Sequence, residues 1–202
     1  MENIRAYLFD IGNVIVRFDF SKALNEVASL SDVTNEAMAL ARIDEIKLDY
    51  EDGKMPRADF LEKAFDLLRY RGTQAQFINA WQGIFTLNEP MADLVAELAK
   101  TKPLYLLSNT NDMHVEALLR DFVVFAHFSG ATYSHEARAS KPDRRIYEIA
   151  CKQHNLVPAE TLFVDDLEAN ISAARDFGFQ THHYHPDRHS DLLARLGLAR
   201  TT

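Results

Sequence analysis

The sequence predicts an α/β protein in which helices cover both faces of a mostly parallel sheet, with an all-helical insert near the start of the chain. Two observations lead to this prediction. From residue 89 onward, short apolar segments alternate with helical patterns, which is typical of right-handed strand–helix–strand units. Residues 18–87, in contrast, show only helical periodicity. We therefore assign residues 1–17 and 88–202 to a core domain and residues 18–87 to the insert.

The first predicted strand leads into an acidic side chain. Apolar residues dominate from Ile4 to Phe9 and are followed by Asp10, and Gly12 allows the backbone to turn sharply. This pattern is typical of a buried strand with a carboxylate at its carboxyl end, where open α/β sheets bind ligands. Taken alone, the stretch favours a simpler interpretation in which Asp10 only begins a turn.

The insert is predicted to contain about four helices and no strand. Apolar positions recur at helical spacing around Leu24, Leu61 and Phe77, and Thr73 with Gln76 has the pattern of a capping box. The later strands of the core are predicted at residues 103–107, 130–133, 161–164 and 181–185. Helices are expected between them, one opening at Pro90 and one closing at Gly178.

Composition excludes several classes of partner. The formal net charge of −8 argues against nucleic acid and anionic membranes, because their phosphates repel such a surface. No signal peptide and no apolar run long enough to span a bilayer is visible. The single cysteine, Cys151, rules out an internal disulfide framework and fits a reducing compartment. We expect a cytoplasmic protein that acts on a small molecule, and the sequence leaves its oligomeric state open.

Four polar clusters lie in the segments that connect the predicted strands to the helices after them. Asp10, Ser108-Asn109, Lys141 and Asp165-Asp166 could each be a helix cap or a surface loop. However, the carboxyl ends of parallel strands meet at one edge of the sheet, so we expect the clusters to converge there. Together they supply a nucleophile, phosphate-oxygen donors and hard oxygen ligands for Mg²⁺. This inventory indicates metal-assisted phosphoryl transfer.

Four short motifs follow one another along the chain and together span most of its length. They are Phe9-Asp10-Ile11-Gly12-Asn13-Val14, Leu107-Ser108-Asn109-Thr110, Ser140-Lys141-Pro142-Asp143, and Phe163-Val164-Asp165-Asp166 with Asn170 beyond. In these motifs the sequence resembles the haloacid dehalogenase-like (HAD) hydrolase superfamily. The resemblance implies a Rossmann-like three-layer core, and it implies that the insert is the α-helical cap of that superfamily's first cap class.

The resemblance also implies a metal site and a nucleophile. Asp10 would be the nucleophile, forming an aspartyl-phosphate intermediate, and a ligand of Mg²⁺. The backbone carbonyl of Gly12 and the carboxylate of Asp166 would be further ligands. Asp165 would lie just behind them and bind the ion directly or through water.

The same resemblance implies how the phosphoryl group is held. Ser108 and the backbone of Asn109 would bind its oxygens, and Lys141 would neutralise the charge that develops during transfer. Phosphoryl transfer needs this kind of positioning and charge stabilisation more than further covalent chemistry.

One position departs from the superfamily's commonest pattern. Most of its phosphatases carry a second aspartate, the general acid and base, where this chain has Gly12. The stretch from Asp10 to Val16, followed by Asp19-Phe20, resembles a bacterial subgroup that includes α-D-glucose-1-phosphate phosphatase. Without a proton donor, an anomeric sugar phosphate is favoured, because its leaving oxygen is less basic than a primary alkoxide. We therefore expect a Mg²⁺-dependent phosphatase of a small phosphomonoester such as a hexose 1-phosphate.

Two alternatives remain. A 2-haloacid dehalogenase uses the same nucleophile without a metal, but Asp165-Asp166 argues against it because carboxylates grouped around Asp10 repel one another without a cation. A non-catalytic protein that binds a phosphometabolite is supported only by Gly12. If another group donates the proton, His114 or a side chain of the cap is the place to look. His114 follows the second motif and could reach the cleft or lie exposed.

Overall fold

The computed structural model describes residues 3–33 and 35–198. The strands are β1 (Ala6–Phe9), β2 (Val16–Phe18), β3 (Phe85–Leu87), β4 (Leu104–Ser108), β5 (Gly130–Tyr133), β6 (Thr161–Asp165) and β7 (Gln180–His183). The helices are α1 (Phe20–Ser29), α2 (Glu36–Glu51), α3 (Arg57–Leu68), α4 (Gln74–Gln82), α5 (Glu89–Leu98), α6 (Asp112–Asp121), α7 (Ser134–Ala137), α8 (Arg144–His154), α9 (Glu168–Phe177) and α10 (His189–Arg195).

The core is a five-stranded sheet in the order β5-β4-β1-β6-β7, and all of its strand pairs are parallel. This confirms the predicted α/β architecture. Strand β1 lies in the middle, so the loop after it is flanked by the loops after β4 and β6. The order of strands reverses on either side of β1, which is where such sheets form a crevice for ligands.

Strand β1 shows why the sheet is covered on both faces. All four of its residues are buried. Tyr7 and Phe9 pack in one hydrophobic cluster with α5, whereas Ala6 and Leu8 pack on the opposite face with α8. A strand that is buried on both faces has a continuous run of apolar residues in its sequence, and β1 was predicted from this pattern.

The insert contains α1–α4, which were expected from the helical periodicity. Phe60, Phe77 and Trp81 are almost fully buried in a hydrophobic cluster of this region. The capping box of Thr73 and Gln76 is present at the start of α4, as predicted. Among the described residues, none of the helices has the combination of length and hydropathy that a membrane span requires.

The expectation that residues 18–87 contain no strand is wrong at both ends of that range. Strand β2 pairs antiparallel with β3 to form a two-stranded ribbon, through which the chain enters and leaves the insert. Each strand has only three residues, so neither shows the alternating pattern that identifies a strand in a sequence.

The ribbon is anchored to the core by Asn88. Its backbone N–H donates to the carbonyl of Ile15 at 3.0 Å, and its side-chain Nδ2 donates to the carbonyl of Val14 at 2.7 Å and to the Tyr184 hydroxyl at 3.0 Å. Asn88 is buried, so these contacts replace the water that the polar groups have lost.

Replacing Asn88 with alanine should therefore lower the free energy of unfolding by about 1–3 kcal/mol, because the buried carbonyl of Val14 loses a donor. Urea unfolding followed by circular dichroism measures the change. Asn79→Ala, at an exposed position of α4, is the matched control and should shift stability by less than about 0.5 kcal/mol. Equal effects of the two substitutions would contradict the anchoring role of Asn88.

Candidate active site

A buried ion cluster lies at the carboxyl ends of β1 and β6. Nζ of Lys141 is 2.7 Å from Oδ1 of Asp10 and 2.7 Å from Oδ2 of Asp165. The side chain of Lys141 is 2% exposed, so its charge is balanced by these carboxylates rather than by water. The structure thus brings together residues from three of the four motifs.

The electrostatics of this cluster favour an additional cation. Burial is the main cause that raises the pKa of Asp10, and the carboxylates of Asp165 and Asp166 raise it further, while Lys141 opposes the shift. Burial also disfavours the charged form of Lys141, but the adjacent carboxylates outweigh it and raise its pKa. Three carboxylates therefore share one ammonium group in a place that water reaches poorly.

The two acidic residues at the end of β6 differ in environment. Asp165 is fully buried, and its Oδ1 accepts hydrogen bonds from the backbone N–H of Leu167 and from Nδ2 of Asn170, both at 2.9 Å. Asp166 is only partly buried, lines the cavity described below, and accepts a hydrogen bond from Nδ2 of Asn13 at 3.0 Å.

Oxygen atoms of Asp10, Asp165 and Asp166 lie within 4.8 Å of one another. Carboxylate oxygens are the ligands that Mg²⁺ prefers, so this group could hold such an ion. The oxygens of Asp165 are already committed to Lys141 and to several N–H donors, whereas Asp166 faces open space.

Gly12 does not play the conformational part that its sequence position suggested. The left-handed residue of this turn is Asn13, with φ of 53°, and Gly12 is not in that region. What Gly12 provides is space, because a Cβ atom built on it would lie 3.0 Å from Cε1 of Phe18. Asparagine adopts left-handed backbone angles more readily than most residues, which explains why the turn can form at position 13.

Asn109 has a positioning function that the sequence did not reveal. Its Nδ2 donates to the carbonyl of Lys141 at 2.9 Å, and its Oδ1 accepts from the backbone N–H of Lys141 at 2.8 Å. The side chain of Asn109 thereby fixes the loop that carries the lysine. Ser108, the last residue of β4, is buried and lines the cavity.

A cavity of about 270 Å³ lies between this cluster and the insert. On the core side its wall includes Asp10, Gly12, Ser108, Asn109, Lys141 and Asp166, and on the insert side it includes Phe20, Lys47 and Glu51. Sequence analysis did not identify Phe20, Lys47 or Glu51 as part of a binding site. Their helical spacing indicates only that they lie on a helix, and no motif marks the side of the helix that faces a ligand.

His114 lies in the cavity wall and is buried, which decides between its two predicted environments. Oδ1 of Asn111 accepts from the backbone N–H of His114, so the amide Nδ2 of Asn111 donates to Nδ1 of the imidazole at 3.0 Å. Burial lowers the pKa of His114 to about 3. The ring is therefore neutral with its proton on Nε2, and at neutral pH it cannot supply a proton as an imidazolium.

Residues 4–178 match the haloacid dehalogenase-like hydrolase family. The chain belongs to the HAD-like hydrolases. This confirms the superfamily to which its four motifs pointed, and it makes the chain an enzyme of the hydrolase class.

Individual relatives refine the comparison. D-ribitol-5-phosphate phosphatase of Bacteroides thetaiotaomicron is 30% identical over 96% of this HAD-like hydrolase and 97% of the relative. (S)-2-haloacid dehalogenase 1 of a Pseudomonas species is 27% identical over 61% of the chain, which covers 54% of that protein. A HAD family enzyme of B. thetaiotaomicron, solved with magnesium and inorganic phosphate, has a TM-score of 0.80 at 26% identity, over 89% of this chain and 93% of that one.

The two acidic residues should respond differently to truncation. Asp165→Ala should lower the free energy of unfolding by about 1–3 kcal/mol, because the buried side chains of Asn170 and Lys141 each lose an acceptor. Asp166→Ala, its matched control, should cost less than about 1 kcal/mol, since that side chain is only partly buried. Chemical denaturation without added metal makes the comparison, and the reverse ranking would contradict the assigned environments.

Proposed function

We propose that this HAD-like hydrolase is a Mg²⁺-dependent phosphatase that hydrolyses a small phosphomonoester through an aspartyl-phosphate on Asp10. The observation that carries the proposal is the cluster of three carboxylates, two of them buried, that surrounds Lys141 at the floor of a small cavity. The name of the ribitol-5-phosphate phosphatase relative and the magnesium and phosphate bound in the B. thetaiotaomicron enzyme support the same chemistry.

The residues present fit a magnesium ion. Asp10, the carbonyl of Gly12 and Asp166 would hold it, and Asp165 would act from behind by fixing Lys141 and the strand end. The surplus negative charge of the cluster is what a divalent cation would offset. When bound, the ion would neutralise charge on the phosphoryl oxygens.

The side chains of the chain itself account for the remaining requirements. A carboxylate oxygen of Asp10 would attack phosphorus as the bond to the leaving oxygen breaks. Lys141 would stabilise the negative charge that accumulates on the transferred group, and the Ser108 hydroxyl and the Asn109 backbone N–H would orient it. The hydrogen bonds of Asn109 to the lysine loop would keep the ammonium group in place during both half-reactions.

The substrate class that we propose is a sugar phosphate or a sugar-alcohol phosphate. Lys47, Glu51 and His114 provide polar groups in a wall that also contains Phe20 and Phe85, and polar groups of this kind bind hydroxyls. The relative that acts on ribitol 5-phosphate belongs to this class. The hexose 1-phosphate and the glucose-1-phosphate phosphatase subgroup suggested by the sequence belong to it as well. We place the enzyme in the cytoplasm, acting on a small molecule and not on nucleic acid or membrane.

We further propose that residues 18–87 act as a cap over the nucleophile. Helices α1 and α2 supply Phe20, Lys47 and Glu51 to the cavity wall, so the insert closes the site opposite Asp10. Closure of this kind excludes water while the phosphoryl group is transferred. Movement would occur at the ribbon of β2 and β3, where both connections lie together.

The dehalogenase alternative is disfavoured by the charge of the site. Dehalogenation needs no metal, yet three carboxylates here lie within 4.8 Å of one another around one ammonium group. The retained nucleophile and lysine likewise disfavour a non-catalytic protein.

Asp10→Asn should reduce phosphate release by at least about 10³-fold while the circular dichroism spectrum stays unchanged, because the amide is not a nucleophile. The assay measures inorganic phosphate released from a panel of sugar and sugar-alcohol phosphates with Mg²⁺, and with EDTA. Asp187→Asn, at a side chain that is 85% exposed, is the matched control and should keep full activity. Turnover by the Asp10 variant, or turnover insensitive to EDTA, would contradict the proposal.

A further inference from the structure

We propose that Glu51, from the insert, is the general acid and base of the reaction and replaces the aspartate that is absent at Gly12. The inference rests on the proposed phosphatase function. It assigns the proton transfers to a residue outside the four motifs.

The position of Glu51 is the first argument. It is the last residue of α2, and it lines the same cavity as Asp10 from the opposite side. Its side chain is 16% exposed, and its ion-pair partner, Nζ of Lys47, lies 3.9 Å away. Among the described residues, no hydrogen bond reaches its carboxylate oxygens. The carboxyl group is therefore partly buried in the cavity wall, and its oxygens are available to a hydroxyl group of a ligand.

The end of α2 is held against the core, which fixes this position. The hydroxyl of Ser134 donates to the backbone carbonyl of Glu51 at 2.5 Å and accepts from the N–H of Thr110 at 2.9 Å. The hydroxyl of Ser140, next to the lysine, donates to Oδ1 of Asp52. Glu51 is thus tied to the loops that carry the second and third motifs.

The close approach at Gly53 adds to this contact. Gly53 has φ of 66°, and a Cβ atom there would lie 2.0 Å from the carbonyl oxygen of His135. Only glycine allows the chain to pass this close to α7. The turn after α2 therefore brings Glu51 to the cavity with little freedom to move away while the insert is closed.

The other titratable groups of the described cavity wall are less suited to the task. His114 is neutral, with Nδ1 occupied by Asn111. Lys141 is fixed between two carboxylates, and Nζ of Lys47 lies 4.9 Å over the Phe20 ring. Asp10 is the proposed nucleophile, and Asp166 is a proposed ligand of the metal ion.

The electrostatic surroundings of Glu51 suit a group that both donates and accepts a proton. Burial is the main cause that raises the pKa of Glu51, Lys47 opposes the shift, and Asp52 and Asp44 add to it, so that the pKa lies at about 7. The charged or titratable groups nearby are Asp44, Lys47 and Asp52 beside it, His135 and Glu136 in α7, and Asp10, His114, Lys141 and Asp166 across the cavity. Both protonation states are then populated at neutral pH, which is what general acid–base catalysis requires.

The proton balance closes over two steps. As Asp10 oxygen bonds to phosphorus and the ester bond breaks, protonated Glu51 gives its proton to the leaving oxygen, and the alcohol departs. Glu51 carboxylate then takes a proton from water while the water oxygen attacks phosphorus. The bond to Asp10 breaks with its electron pair returning to the carboxylate, inorganic phosphate leaves, and both residues are restored.

This role removes the reason for preferring an anomeric leaving group. With a carboxylic acid in the cavity wall to donate the proton, primary alkoxides can leave as alcohols, so sugar 1-phosphates and sugar-alcohol phosphates both become feasible substrates. Glu51 then supplies the proton donor that is absent at position 12.

The experiment compares Glu51→Gln with the wild-type enzyme, using aryl phosphates of graded leaving-group pKa under single-turnover conditions with Mg²⁺. The first step should slow by about 10²–10⁴-fold for basic phenols and hardly at all for the most acidic phenol. With that acidic substrate the variant should show a burst of phenol followed by slow turnover, because the water attack has lost its base. For basic phenols, the fall in wild-type kcat/KM as the pH rises through about 7 should disappear.

Glu62→Gln, an exposed glutamate of α3, is the matched control and should behave as the wild type. Glu51→Asp should recover part of the activity. Unchanged kinetics in Glu51→Gln, or an equal loss with every leaving group, would overturn the role of Glu51 and leave the phosphatase function standing. Absence of phosphate release by the wild type from every phosphomonoester would overturn both. Thermal unfolding of Glu51→Gln checks that the variant is folded, and Glu51→Asp provides the readout if it is not.

Discussion

The ammonium group of Lys141 is the interaction on which the site depends. It is almost fully buried and lies within hydrogen-bond distance of Asp10 after β1 and Asp165 at the end of β6, so it joins two neighbouring strands of the sheet. Asn109, after β4, holds the backbone on both sides of the lysine. One cation thereby positions the ends of three strands, and because it balances only part of the charge of three carboxylates, the cluster retains an affinity for a second cation.

Most of the core could be predicted because its determinants are local. Buried parallel strands are apolar runs, helices have their own period, and the parallel arrangement requires all carboxyl ends to meet at one edge. Asp10, Ser108, Lys141 and Asp165 were therefore placed at one edge from their order in the chain. The ribbon of β2 and β3 was not predicted, because three residues are too few to show the two-residue alternation of a strand. The left-handed backbone of Asn13 was not predicted, because the turn was assigned to the glycine at position 12.

The side of the site contributed by the insert could not be predicted, since it depends on contacts between segments that are distant in sequence. Lys47 and Glu51 are separated by one helical turn, as are countless exposed ion pairs. What turns them toward the cavity is the docking of the end of α2 on Ser134 and Ser140, together with the close passage of Gly53 over α7. The difference between Asp165 and Asp166 is of the same kind, because it arises from donors in α9 and its preceding loop.

The pairing of β2 with β3 bears on how the insert between them can change during evolution. Because the segment between them departs and returns on adjacent, hydrogen-bonded strands, its ends are already together, and the entropy of closing the loop grows only slowly with its length. The register of the core strands is set by their pairing with one another and does not depend on the number of residues between β2 and β3. Recombination at this junction could exchange one helical segment for another. The enzyme would then acquire a new substrate specificity while the residues at the carboxyl ends of the core strands stayed unchanged.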